Sequence, residues 1–183
     1  MKWRYELGAS ISTLQGEFDL VVAQFERPLA QFLYRFVFRH DVALDLAQET
    51  FVKVFQNLHR YDKARPFSTW LFSIASNLAK DHLRKHARGA QLSFNEGVAD
   101  DREPSFRQPD RHLETIELGR ALAEAIASLP LIYREPLLLR HTAGLSVEQT
   151  AEVLGTSQSV VKTRLFRART RLQESLGKEW LAR

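Results

Sequence analysis

Apolar positions return along this chain with a helical period. Phe25, Leu29, Phe32, Phe36 and Val37 share one helix face after a start near Asp19. Nine of the twelve Phe residues lie between Phe18 and Phe72, so aromatic packing dominates this stretch. A second helix is predicted from about Asp41 to Arg60. Ala47, Phe51, Val54, Phe55 and Leu58 form its inward stripe. Asp45, Gln48, Glu49, Val52, Lys53 and Gln56 line the opposite side. That stripe reads as a solvated face or as a docking face, and pattern alone favours the first. Tyr61–Trp70 is polar and contains Pro66, which disfavours helix at Arg65, so it reads as a loop. Ser68 or Thr69 is expected to cap the next helix. That helix buries Leu71, Ile74, Ala75, Leu78 and His82, and turns Ser73, Asn77, Lys80 and Arg84 outward.

Further along, a helix from about Leu118 to Leu129 stops at Pro130, and another carries Leu137, Leu138, Leu139 and His141. Gly144–Leu165 then has the features of a helix-turn-helix. Ser146 caps a short helix, with Gln149 in the capping-box position. Ala151 is small where helices cross, and Gly155 permits a tight turn. Val161, Leu165, Ala168 and Leu172 face inward on the second helix. Lys162, Thr163, Arg164, Phe166 and Arg167 are left to project, as a major-groove helix requires.

Composition agrees with an all-α chain. There are 26 Leu and 19 Ala against 11 Val and 5 Ile, which favours helix over strand. Cysteine is absent, which excludes disulfides, cysteine-ligated zinc and thiol catalysis and fits a reducing cytoplasm. No apolar run approaches the ~20 residues of a membrane span, and no apolar stretch follows the opening charges as a signal peptide would require. No cofactor motif is found. His82 and His86 have metal-ligand spacing, but Arg84, Lys85 and Arg88 crowd them and no carboxylate completes a set.

Charge gives the organisation. Lys80–Arg88 carries four bases and one acid, and Ser157–Leu172 carries five bases and no acid. Between them, Gly89–Glu114 carries six acids and three bases, with Gly89, Gly97, Pro104 and Pro109. That segment reads as a solvated, flexible linker. Two small helical domains joined by such a linker suit a clamp that touches a polyanion at two places. In the first domain, Tyr61, Lys63 and Arg65 from the loop join Asn77, Lys80 and Arg84. Cations there hold phosphates, while aromatics and amides receive an unstacked base. The linker lets the domains sample many separations, which keeps the effective concentration for a second contact low.

Three rivals remain open on the residues alone. A helix-turn-helix regulator leaves the Asp45–Gln56 face and the aromatic loop unexplained. An enzyme has only His40 with Asp41 and Asp81 with His82 as carboxylate–histidine candidates, and adjacent residues do not share a helix face. A regulator that only sequesters a partner protein sits poorly with an intact basic recognition helix.

Taken together, the segments resemble an extracytoplasmic-function (ECF) sigma factor of the sigma-70 family. The resemblance covers Phe18–Arg88, like sigma region two, and Leu118–Leu176, like region four. It rests on Asp45-Leu46-Ala47-Gln48-Glu49-Thr50-Phe51-Val52-Lys53 and on Phe67-Ser68-Thr69-Trp70-Leu71-Phe72-Ser73-Ile74-Ala75-Ser76-Asn77, with Asp81 and Arg84 downstream. In the second part it rests on Ser128-Leu129-Pro130 and Val161-Lys162-Thr163-Arg164-Leu165-Phe166-Arg167-Ala168-Arg169. Leu44 stands where the family usually continues an acidic pair with Asp45.

The resemblance implies an N-terminal extension at 1–17, region two at 18–88, an acidic linker at 89–112 and region four at 113–183. It implies a non-enzymatic factor that guides core RNA polymerase to promoters under stress or envelope signals, in the bacterial cytoplasm and at the nucleoid when polymerase-bound. Asp45, Gln48, Glu49, Val52, Lys53 and Gln56 would meet the β′ clamp helices, and region four the β flap. Asn57, Tyr61, Lys63, Arg65, Asn77, Lys80 and Arg84 would bind the minus-10 element and a flipped base. Unstacking that base costs a few kcal/mol, which the pocket must return. Ser157, Ser159, Lys162, Thr163, Arg164, Phe166 and Arg167 would bind the minus-35 element. The linker would thread through polymerase along the RNA exit path. An anti-sigma factor is the further partner implied.

Overall fold

A computed structural model describes residues 11–62, 64–90 and 113–177. The described elements are all helical. They are α1 (Ile11–Val37), α2 (His40–Asn57), a 3-10 turn (Leu58–Arg60), α3 (Phe67–Ala90), α4 (Leu113–Ser128), α5 (Leu131–His141), α6 (Val147–Val153) and α7 (Gln158–Leu176). Among the described residues, no helix is long and apolar enough to cross a membrane.

The N-terminal unit is built from α1 to α3. Helix α1 begins at Ile11, earlier than the expected start near Asp19. Its Leu29, Phe32, Leu33 and Phe36 are fully buried. The Phe32 ring lies 5.5 Å from Phe36 and 5.2 Å from Phe72 of α3. Each such ring contributes about 1.5–3 kcal/mol of hydrophobic stabilisation. Phe38 closes α1 at φ 55°, and its N–H donates to the Tyr34 carbonyl at 2.7 Å. A β-carbon makes that left-handed turn unfavourable, so Phe38 must be held there by its surroundings.

On α2 the inward stripe differs from expectation. Ala43, Leu46, Ala47, Thr50 and Val54 are buried, while Phe55 is 56% exposed and Phe51 and Leu58 are half-buried. The buried set keeps the i, i+3, i+4, i+7, i+11 period but is centred on Thr50. Thr50 is tolerated inside because its hydroxyl donates to the Leu46 carbonyl at 2.6 Å. The rings of Phe51 and Phe55 instead meet the edge of Phe18 at 6.4 and 5.2 Å.

Helix α3 starts at Phe67, directly after Pro66. Ser68 and Thr69 therefore lie inside its first turn rather than capping it, and Thr69 is buried. Leu71, Ala75 and Leu78 are buried as expected, with Phe72, Ser76 and Ala79 beside them. Ile74 and His82 are only half-buried.

The C-terminal unit packs α4, α5 and α6 around α7. Ser146 caps α6 through the reciprocal box with Gln149, at 3.0 and 2.7 Å. Gly155 adopts φ +59° in the turn to α7, a value that L side chains rarely take. Val161, Leu165, Ala168 and Leu172 are buried, as their period requires, and so is Ala151.

The two units are not held apart. α4 and α5 lie against α1, α6 lies against α3, and one buried cluster runs through both units. The contacts between them are partly apolar and partly ionic. Helix α3 continues through Ala90, past the expected domain end at Arg88. The rest of the proposed linker, 91–112, and residues 1–10 of the N-terminal extension lie outside the described residues.

Candidate nucleic-acid and partner interfaces

Three surfaces were expected, and the fold treats them differently. The first is the outward side of α2. Asp45, Gln48, Glu49, Val52 and Gln56 are exposed and Lys53 is half-exposed. Lys53 pairs with Glu49 at 3.4 Å, one helical turn away. Val52 is 52% exposed and Leu44 43%, and Phe55 opens onto the same side. A purely solvated face has no reason to carry three large apolar groups among its charges. Phe55 was assigned to the core, so its share in this surface was missed.

The second surface surrounds the loop before α3. Tyr61 stacks on Trp70 at 5.1 Å and meets the edge of Phe67 at 5.4 Å. Its hydroxyl donates to the Arg65 carbonyl at 2.6 Å, and Asp62 accepts from the Ala64 N–H at 2.9 Å. The loop is thus pinned to α3 by an aromatic stack and folded by its own polar groups. Asn57 uses its amide on the Lys53 carbonyl at 2.9 Å, which closes α2. Asn77 is exposed on α3. Arg84 is exposed and paired with Asp81 at 2.9 Å. Lys63 lies outside the described residues.

Two expected members of this surface are not free. Lys80 is mostly covered, and its Nζ lies 3.0 Å from Glu135 of α5. Arg65 bonds Glu152 of α6 at 2.8 Å and approaches Asp62 at 3.8 Å. Lys80 was expected on a solvent-facing stripe with Asn77 and Arg84. Glu135, reaching across from α5, covers it. Glu135, Glu152 and Arg134, which meet the N-terminal unit, were not singled out in the sequence. Glu135 had a readable signal, because it falls on the inward stripe of α5 with Leu131, Leu138 and Leu139. A buried acid there demands a partner.

The third surface is α7. Ser157, Ser159, Lys162, Thr163, Phe166 and Arg167 are exposed and Arg164 is half-buried. Phe166 is 70% exposed. The Ser157 side chain accepts from the Val160 N–H at 3.3 Å, so it caps α7. Thr163 donates back to the Ser159 carbonyl at 3.0 Å. Among the described residues, none of the α7 bases makes an ion pair. Their field is felt nearby: burial first, then Arg169 and Arg140, hold the His141 pKa below its ordinary value.

The His82 and His86 rings lie with centroids 4.2 Å apart, tilted by 43° to each other. Among the described residues, no group of three or more potential ligands could hold a metal ion. Burial first, then His86, Arg39 and Lys85, lower the His82 pKa.

Residues 21–89 match the family Sigma-70 region 2, and residues 119–172 match Sigma-70, region 4. The chain belongs to the sigma-70 family of ECF sigma factors. It is 33% identical to the RNA polymerase sigma-H factor of Pseudomonas aeruginosa over 167 residues, covering 87% of this chain and 86% of that protein. It is 30% identical to the ECF RNA polymerase sigma-E factor of Haemophilus influenzae, covering 87% of each. Among solved structures, it is similar to the sigma factor RpoE in complex with the anti-sigma factor NepR from Bartonella quintana. That match has a TM-score of 0.75 and 26% identity, and covers 87% of this chain and 96% of that one.

As a sigma factor, the chain binds core RNA polymerase and promoter DNA and directs the enzyme to specific promoters. The N-terminal unit is sigma region two and the C-terminal unit is sigma region four.

Proposed function

We propose a division of labour among the three surfaces. The outward side of α2 docks on the β′ clamp helices through Asp45, Gln48, Glu49, Val52, Lys53 and Gln56. Phe55 and Leu44 add apolar area at its edges. Such a mixed face gives both steering and burial. Region two holds the minus-10 element, with Lys63, Arg65, Lys80 and Arg84 on phosphates. Asn57, Tyr61 and Asn77 receive a flipped base.

Helix α7 enters the minus-35 major groove. Arg167 reads a base edge, Phe166 offers an apolar surface to a thymine methyl, and Lys162 and Arg164 position the helix on phosphates. Ser157, Ser159 and Thr163 lie at its leading turn, where helix N-termini approach DNA. The observation that carries this reading is the two-sided build of α7. Its apolar stripe is buried, while Lys162, Thr163, Phe166 and Arg167 stand in solvent.

The factor acts by binding alone and does no chemistry itself. It works in the bacterial cytoplasm and joins the nucleoid when bound to polymerase. Residues 113–183 also meet the β flap, and 89–112 thread through the enzyme. An anti-sigma factor controls it, by analogy with the solved relative captured with one.

In-vitro transcription with core enzyme on a promoter library tests the reading. Transcripts should start downstream of two shared sequence elements at fixed spacing. Transcription without shared elements would contradict it.

A further inference from the structure

The last turns of α7 run beside the corner where α4 gives way to α5. Between them lies a groove of about 320 Å³, lined by Ser128, Leu129, Pro130, Arg171, Glu174 and Ser175. Ligand pockets run from about 300 to 1,000 Å³, so this one suits a single large side chain rather than a helix. Leu129 and Pro130 make one side apolar. Arg171 makes another, with its guanidinium 5.2 Å over the Tyr133 ring. A guanidinium is planar and stacks on aromatic faces, so with one face on Tyr133 the other is open to a second ring. Among the described residues, neither Arg171 nor Glu174 forms an ion pair.

Gly177 ends α7 at φ 76°, a conformation that glycine takes without steric cost, and the chain leaves the helix there. Leu176, one residue earlier, still packs against the core. Residues 178–183 follow and lie outside the described residues. They are Lys178, Glu179, Trp180, Leu181, Ala182 and Arg183, an apolar pair set among charges. Burying a Trp removes about 150–250 Å² from water, a strong drive toward any seat within reach. Three extended residues span about 10 Å. With a rise of about 1.5 Å per residue, Glu174 lies about 4.5 Å and Arg171 about 9 Å back along α7 from Gly177. A chain reversed at Gly177 therefore brings Trp180 level with the groove. Lys178 and Glu179 arrive with charges complementary to Glu174 and Arg171.

We infer that residues 178–183 fold back along α7 and seat Trp180 in this groove, on the open face of Arg171 and against Pro130. The segment ties the end of α7 to the corner between α4 and α5. Helix α7 is thereby fixed at both ends, by the Ser157 cap at its start and by this clip at its finish. The inference stands independently of which DNA element α7 reads.

Fluorine NMR of the full-length chain labelled with 5-fluorotryptophan tests it. The chain holds three Trp residues, Trp3, Trp70 and Trp180, and Trp180→Phe identifies the Trp180 line by its loss. A soluble gadolinium chelate broadens the lines that solvent reaches. The Trp180 line should be broadened far less than that of free 5-fluorotryptophan. Arg171→Ala removes the stacking plane, and Ser175→Tyr fills the groove from an exposed position. Each should bring the broadening up to that of the free amino acid. Arg169→Ala, the same charge loss on α7 outside the groove, should leave the line protected. A wild-type line as broad as that of the free amino acid would overturn the inference. So would protection that survives both groove substitutions, because Trp180 would then be seated elsewhere. Protection lost on dilution, together with a dimer in analytical ultracentrifugation, would give the groove to a second copy's segment and overturn it equally.

Hydrogen exchange reads the consequence for α7. Trp180→Ala should speed amide exchange over residues 172–176 and leave α6 unchanged. Exchange at the wild-type rate in that last turn would refute the clip.

Discussion

Two cationic surfaces on this sigma factor are built from the same residue types and kept in opposite states. On α7, Lys162 and Arg167 are exposed, with no ion pair among the described residues. On region two, Lys80 faces Glu135, Arg65 faces Glu152 and Arg84 faces Asp81. The difference follows from neighbours, not from composition. Helix α7 contains no acid from Ser157 to Leu172, whereas Lys80 and Arg65 meet acids from the other region. A surface without acids is ready for phosphate as it stands. A surface whose cations already face carboxylates must exchange those partners for phosphate.

The largest expected effect is on the α2 face. Charge reversal of Asp45 and Glu49 together should abolish core binding, because both lie on the exposed α2 face and neither supports the core. Competition with wild-type factor for core enzyme measures this. A double mutant that competes normally would make the α2 face merely solvated.

A smaller effect separates positioning from reading on the open surface. Lys162→Ala should weaken promoter binding by the holoenzyme across all sequences and flatten the salt dependence by about one charge. Titration at several salt concentrations reports the slope. A sequence-dependent loss would show that Lys162 reads a base.

Smaller again is the support beneath α7. Ser146→Ala removes the hydroxyl that accepts from the Gln149 N–H in the capping box on α6 and should cost about 1 kcal/mol in denaturant unfolding. Region two has no equivalent dependence on this cap, so its aromatic stack should be unaffected by near-ultraviolet dichroism.

The smallest effect is a pH dependence in region two. The folded pKa of His82 is depressed below the ordinary 6.5, mainly by burial. The unfolded chain therefore binds more protons below that value, and stability falls as pH drops through 6.5. His82→Gln should make the fall in denaturant midpoint shallower. An unchanged slope would mean that other groups, such as the similarly depressed His141, dominate.

The surface on α7 was readable because a single helix carries both its faces. The buried stripe at Val161, Leu165, Ala168 and Leu172 leaves only one place for Lys162, Phe166 and Arg167. Helix α2 was read less well because two overlapping stripes share Ala47 and Val54. Thr50 looked polar, yet it satisfies its hydroxyl on its own helix and fills the core, which turns Phe55 outward. Lys80 was misplaced for a different reason. Its period on α3 is that of an outward residue, and its partner lies in the other region. Ser76 and Glu135 are 59 residues apart in sequence, and no local period reports such a pairing. The cap at Ser146, the turn at Gly155 and the aromatic core of α1 were all legible, because each is decided within a few residues.

The central claim is that two separate surfaces read two separate promoter elements. Transcription from a promoter library by holoenzyme carrying Arg167→Ala or Asn77→Ala tests it most directly. Arg167→Ala should relax selection at one position of the upstream element, by about 1–3 kcal/mol, and leave the downstream element as selective as before. Asn77→Ala should do the reverse, with its loss confined to the downstream element. Losses from both variants spread evenly over both elements would contradict the division between α7 and region two.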